Sequence, residues 1–289
     1  MAGPLRVLSP DLVLVDWGPM TLTISAWARG RARPVMAALA GTRALDCLAR
    51  LADFQRYLRR PARDLDPTRP LPRVVARALA GARTAGPGLT PLAAVAGAVA
   101  GEVADCAAEQ GADRVLVNNG GDICLRLAPG QRAVVGIRPP GEDASLLARL
   151  HLQGPAVGGV ASSGWAGRSL SPGVADLVTV WARGPALADA AATWLAGRVD
   201  LDHPAVEKRP AREVQPDSDL GDLPVTTGVG PLEPAQRLAA LAAGRRAAES
   251  LYHRGIIMGC LMLVQGDYAF LDPGHRLEPR GLDRLRAAV

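Results

Sequence analysis

The stretch from Thr90 to Leu127 constrains the fold more than any other part of the chain. Thr90 is an N-cap candidate, Pro91 stands at the first helical position and Gly111 closes the run, so the pattern predicts a helix. Leu92, Val95, Val99, Val103 and Cys106 give it one apolar stripe. Gly97 and Gly101 lie four apart, where a neighbouring backbone can approach closely. Val115-Leu116-Val117 then reads as a short buried strand, and Ile123 to Leu127 resumes strand character after Asn118-Asn119-Gly120-Gly121-Asp122.

The rest of the chain mixes the two periodicities. Leu12 to Val15 and Thr21 to Ser25 read as a hairpin turned by Asp16-Trp17-Gly18-Pro19. Pro34 to about Arg60 is helical, with Leu39, Leu45, Leu48, Leu51 and Phe54 as its apolar positions. Residues 61–90 read as a connector with one short helix at Val74 to Ala80. Ala133 to Ile137 is a strand, 138–150 a polar loop, and Gly158 to Gly173 an irregular loop rich in Gly and Ser. Leu177 to Trp181 is a strand, and Ala186 to Val199 a helix. Residues 200–224, acidic and Pro-rich, form the linker candidate. A helix from Leu232 to Tyr252 and a hairpin from Ile256 to Leu271 follow. Helices and strands do not strictly alternate. The expected class is therefore α+β, a mostly antiparallel sheet packed with helices.

Composition narrows the function classes. Aromatic residues are only 3% of the 289, so the core must be filled with Ala, Val and Leu. The net charge is +5, but the arginines are scattered among acids and rarely neighbour an aromatic, which argues against a nucleic-acid surface. Cys47, Cys106, Cys124 and Cys260 form no Cys-x-x-Cys pair and read as buried free thiols of a reducing compartment. The N-terminal residues do not read as a signal peptide. The small-apolar run Pro91 to Gly101 falls short of the roughly 20 residues of a spanning helix. A cytoplasmic protein without a membrane partner is expected.

Three constellations could carry chemistry. Asn119-Gly120-Gly121-Asp122 offers exposed backbone N–H groups and a carboxylate to a ring or phosphate; it equally makes an ordinary hairpin turn. Asp189 and Thr193, four apart on a helix, project from one face and could both reach a hard cation such as magnesium. The bland alternative is a surface Asp near a helix N-terminus beside an indifferent Thr. Ser162-Ser163-Gly164, Arg168 and the segment to Asp176 suit a phosphate or polar ring edge, or are a flexible surface loop. Walker A and Rossmann glycine motifs are absent, and His151, His203, His253 and His275 have no zinc spacing.

Taken in this order, the three segments resemble the ApbE family of FAD:protein FMN transferases. Asn119-Gly120-Gly121-Asp122 resembles its Gly-Gly-Asp motif, and Ala161-Ser162-Ser163-Gly164 its Thr-Ser-Gly-like segment. Ala188-Asp189 to Thr193 resembles its Ala-Asp-x-x-x-Thr helix. The likeness is best over residues 90–200 and implies a single ApbE-like domain across 1–289. It implies FAD as substrate or ligand, with Asn119, Gly120, Gly121, Asp122, Ser162, Ser163, Gly164 and Arg168 as its contacts and Mg2+ on Asp189 and Thr193. The implied reaction is magnesium-dependent FMN transfer from FAD to a Ser or Thr of an acceptor protein, with a homodimer as candidate assembly. The family's His-x-x-Asp-Pro segment is replaced by Arg168-Ser169-Leu170-Ser171-Pro172-Gly173, as in a shorter branch of the superfamily. Without that histidine, Asp176 or Asp122 would have to serve as the base, and Asp176 is the catalytic candidate. The alternative is a non-catalytic flavin- or nucleotide-binding module, or an accessory factor in sulfur and homocysteine metabolism.

Overall fold

The computed structural model describes residues 3–141, 145–167, 169–282 and 286–287. The chain runs β1 (Leu5–Ser9), β2 (Leu12–Trp17), β3 (Met20–Ala28), β4 (Arg31–Ala32), α1 (Pro34–Asp53), α2 (Gln55–Leu58), α3 (Arg73–Ala85) and α4 (Val95–Glu109). Then come β5 (Arg114–Asn119), β6 (Asp122–Leu127), β7 (Arg132–Ile137), β8 (Ala148–Gln153), β9 (Gly159–Ser163), β10 (Leu177–Ala182) and α5 (Pro185–Ala196). The remainder is β11 (Val206–Pro210), α6 (Ala211–Val214), β12 (Pro224–Val229), α7 (Pro234–His253), β13 (Gly259–Val264), β14 (Asp267–Leu271), β15 (Leu277–Pro279) and β16 (Arg286–Ala287). Two compact units result. The first is Met1–Ala133, Leu152–Ala161 and Ala182–Ala190; the second is Val134–His151, Ser162–Trp181 and Ala191–Val289.

In the first unit the strand order is β1-β2-β3-β5-β6-β9, antiparallel throughout, with β4 on β3. Helix α1 lies on β1, β2 and β3, and α4 packs on α1, α3, β5 and β6. The buried face of α1 is Ala37, Ala40, Gly41, Ala44, Cys47 and Leu51. This corrects the leucine stripe: Leu39 is 54% exposed, and Leu45 and Leu48 are only half-buried. Close packing explains the change of phase. A Cβ on Gly41 would stand 2.8 Å from Leu5 and 2.9 Å from Val15, so the helix approaches the sheet along its small residues. Helix α3 is also longer than the short helix expected at 74–80; its buried face is again small, with Ala78, Gly81, Ala82 and Ala85 among the members.

Helix α4 starts as expected. The hydroxyl of Thr90 accepts a hydrogen bond from the Leu92 N–H, and a single 3-10 turn over Pro91–Ala94 leads into the α-helix. By length and composition the stretch Pro91–Glu109 could cross a membrane, beyond what the shorter run suggested. Yet every residue from Gly97 to Ala104 is buried in the first unit, Glu102 included. Glu102 meets Arg77 at 3.0 Å and Arg73 at 3.2 Å, while Asp105 meets Arg126 at 2.6 Å. This ion-pair cluster belongs to a core helix.

In the second unit β10, β13, β14 and β16 follow one another, with β10–β13 and β13–β14 antiparallel and β14–β16 parallel. A second sheet runs β15-β8-β7, and β11 pairs antiparallel with β12. Trp181 on β10 sits opposite Gly259 on β13, whose missing side chain leaves room for the indole. Helix α7 covers β13 and β14. Residues 200–224 carry β11 and α6 and reach the start of β12, because backbone pairing orders a segment that lacks an apolar period. Strand β9 likewise occupies part of the Gly158–Gly173 stretch, and β8 begins inside the 138–150 stretch. The four cysteines are free, and burial pushes the thiols of Cys47, Cys124 and Cys260 up to about 12, which makes them unreactive.

Candidate functional site

The Asn119–Asp122 segment is the two-residue turn of the β5–β6 hairpin. Asn119 pairs with Asp122, and Gly120 and Gly121 adopt φ of +66° and +112°. Both positions need glycine for that backbone. The turn is braced from its own strand, since the Gly121 N–H donates to Asn118 Oδ1 at 2.9 Å. It is also tied to α4: Asn119 Nδ2 donates to the carbonyl of Ala96 at 3.1 Å. The hairpin reading and the functional reading of the motif therefore coexist. The turn brings Asp122 close to the start of α4.

Asp189 reaches the same place from α5. Its carboxylate accepts a 2.8 Å hydrogen bond from the N–H of Gly97 and another from the N–H of Ala96. Ala94, the N-cap of α4, has no side-chain oxygen to satisfy these donors. Asp189 caps the helix from another element, and the helix dipole favours its negative charge. The glycine at 97 permits this approach, because a Cβ there would land on the carbonyl of Pro185 at the start of α5. The spacing marks Gly97 as a close-packing position only; the N–H it presents to Asp189 has no signal in the sequence.

Burial pushes the Asp189 carboxyl well above the usual carboxylate range, and the charge of Asp122 raises it further. The two backbone hydrogen bonds pull the other way without cancelling these effects. The buried Asp189 and the half-buried Asp122 repel one another, and both offer carboxylate oxygens. That chemistry fits a hard divalent cation, which would relieve the repulsion. Thr193 lies one turn further along α5, half-buried, in the second unit.

The other sequence-predicted residues lie in the second unit. Ser162 Oγ is 2.9 Å from Thr179 Oγ1, a buried hydroxyl on β10 that sequence reasoning missed. Ser163 ends β9. Gly164 sits where a Cβ would be 2.5 Å from the carbonyl of Asp176. Asp176 is held at both oxygens: Trp165 Nε1 donates to Oδ1 at 3.2 Å and the Gln265 N–H donates to Oδ2. Burial raises its pKa above the ordinary value, and these two hydrogen bonds lower it in part. Gln265, at φ +43°, is the first residue of the β13–β14 turn, and its side chain binds the Leu232 N–H and the Gly230 carbonyl. Arg168 lies outside the described residues.

A family model described as AbpE bacteria matches residues 6–270. A UPF0280 protein of Methanothrix thermoacetophila is 42% identical over 113 residues, 39% of this chain and 47% of that protein. A UPF0280 protein of Methanopyrus kandleri is 40% identical over 137 residues, 47% of this chain and 54% of that protein. The chain thus spans about half the length of the curated relatives it matches. Among solved structures, the apo flavinyl transferase ApbE of Pseudomonas stutzeri is similar at a TM-score of 0.46 and 14% identity, over 97% of this chain and 98% of that one. The flavin transferase ApbE from Vibrio cholerae is similar at 0.45 and 14%, over 98% and 100%.

Proposed function

Because the chain belongs to the AbpE family of bacteria, we propose that it binds a flavin nucleotide with a divalent cation held at Asp189 and Asp122, and that it transfers FMN from FAD to a Ser or Thr of an acceptor protein. The observation that carries this reading is the buried Asp189 carboxylate, fixed by the first N–H groups of α4 and faced by a second carboxylate. A carboxylate accepts about four hydrogen bonds or metal contacts, so two backbone donors leave capacity for a cation. Thr193, one turn on, is the proposed second oxygen of the Asp-x-x-x-Thr pattern. Bound magnesium would neutralise charge on a pyrophosphate during phosphoryl transfer. Asn119 holds the Gly120-Gly121 backbone against α4, where it can face a phosphate or ring. Ser162, whose Oγ lies 2.9 Å from Thr179 Oγ1, carries a hydroxyl of the type that a phosphate binds.

One observation favours a second reading. Asp176, the candidate base, has both oxygens engaged by Trp165 and Gln265 and so serves the β13–β14 turn. A chain with that arrangement binds the nucleotide without turning it over. FAD fluorescence quenching, with and without magnesium, tests the shared part on wild type and Asp189→Asn. Asparagine keeps an oxygen for the Gly97 N–H and removes the charge. Magnesium-dependent binding that weakens about tenfold or more in the variant is expected. Absence of binding by wild type, or the same magnesium dependence in both proteins, sinks the reading. AMP released from bound FAD marks transfer; FAD recovered intact marks binding alone.

A further inference from the structure

We propose that a cavity of about 330 Å³ in the first unit, lined by Arg77, Ala80, Gly81, Ala98, Arg126 and Leu187, binds a small carboxylate with an aliphatic body. The cavity shares no lining residue with the Asp122–Asp189 pair, and the proposal is independent of the flavin reading.

Its walls follow from close helix packing. A Cβ on Gly81 would stand 2.6 Å from the carbonyl oxygen of Ala186, so α3 and the first turn of α5 are pressed together. Beside that contact the side chains of Ala80 and Ala98 end at Cβ and leave an apolar hollow, closed on one side by Leu187.

Two arginines, Arg77 and Arg126, line the hollow beside the alanines. Arg126 bonds Asp105 through Nε at 2.6 Å and turns Nη1 to the Leu125 carbonyl and the Cys124 sulfur. Arg77 bonds Asp105 through Nη2 and Glu102 through Nε. Each guanidinium carries five donors, so these contacts leave at least two on each. Arg77 keeps both N–H groups of Nη1 and one of Nη2, and Arg126 keeps those of Nη2. A ligand carboxylate accepts charge-assisted hydrogen bonds from these unused donors. The first turn of α5 reinforces the sign: Gly184 accepts the first helical hydrogen bond and has no side chain to cap the N–H groups of Ala186 and Leu187. The unused guanidinium N–H groups select a charged head, and the alanine walls select a short aliphatic tail.

Isothermal titration with hexanoate, and with hexanol as the neutral counterpart, tests the proposal. Thr84 lines the cavity and is exposed, so Thr84→Trp fills the space without replacing a member of the ion pairs; Ala80→Phe does the same from a neighbouring position. Hexanoate should bind wild type with a Kd on the order of 1 mM. It should bind at least about tenfold more tightly than hexanol, and at least about tenfold less tightly to whichever variants retain the wild-type melting transition. No saturable hexanoate binding, equal binding of hexanol, or unchanged binding in a folded filled variant would overturn it.

Discussion

The carboxylate of Asp189 on α5 accepts a 2.8 Å hydrogen bond from the backbone N–H of Gly97 on α4, across 92 residues of sequence. A residue of the proposed cation site is therefore also the cap of a core helix. Asp189→Ala removes both roles. It leaves buried N–H groups without an acceptor, which costs about 1–3 kcal/mol. Asp189→Asn keeps one acceptor and should cost less. Urea unfolding of both variants measures this order. An alanine variant as stable as wild type would show that water caps α4 equally well.

The same site should respond to magnesium. A cation that binds only the folded chain raises stability by about 2.7 kcal/mol at one hundred times its Kd. Thermal melts should show a magnesium-dependent rise in wild type and none in Asp189→Asn. An equal rise in both would place any bound magnesium elsewhere.

Gly97→Ala tests the packing beneath the cap. The added methyl would meet the backbone carbonyl of Pro185, which cannot rotate away as a flexible side chain does. Helix α5 must move from α4, at about 1–3 kcal/mol. The shift also draws Asp189 off the Gly97 N–H, so magnesium affinity should fall together with stability. Lower stability with unchanged magnesium affinity would uncouple the contact from the site.

What was legible in the sequence is what local chemistry dictates. Thr90, Pro91 and Gly111 bracket a helix by capping, and Gly120-Gly121 must turn because two successive positive φ values suit glycine. Asp189 and Thr193 stood out by helical spacing and by resemblance to a family motif. Illegible were the features made of small residues and distant partners. Leu39, Leu45 and Leu48 are the large apolar positions of α1, but in a chain this poor in aromatics its buried face includes the small residues Ala40, Gly41 and Ala44. Strand β9 hid among Gly and Ser, where no alternation shows. No pattern links Arg73, Arg77 and Arg126 to their shared partner Asp105, or Asp176 to Gln265, because those pairs exist only after the chain folds.

Asp176 gives a pH dependence with a definite sign. Burial raises its folded-state pKa above the ordinary value. Its contribution to stability is therefore fully present below the unfolded pKa and is lost as pH rises through the folded one. Asparagine at this position does not titrate; it costs one hydrogen bond, since its amide nitrogen faces a donor. The stability gap between wild type and Asp176→Asn should narrow as pH rises through the folded pKa. Denaturant midpoints across a pH series follow the gap, and a gap that widens over that range would mean the ionised carboxylate is the better partner for Trp165 and Gln265.

The ion pairs of α4 separate two magnitudes that a contact inventory would merge. Glu102 is 3% exposed and lies 3.0 Å from Arg77, but 4.0 Å from Arg43, whose side chain is 47% exposed. Removing Arg43 forfeits a solvent-screened contact and should change stability by no more than about 0.5 kcal/mol. Removing Arg77 strips a buried carboxylate of its nearest cation, where such losses run to about 3–5 kcal/mol; Arg73, still 3.2 Å away, places the expectation at the low end. The double variant Arg77→Ala with Glu102→Gln removes the buried charge as well, so it should recover part of what Arg77→Ala loses. Urea midpoints of the four proteins close this cycle. If the double variant is no more stable than Arg77→Ala, the loss comes from packing of the arginine stem against α4 and not from an uncompensated charge.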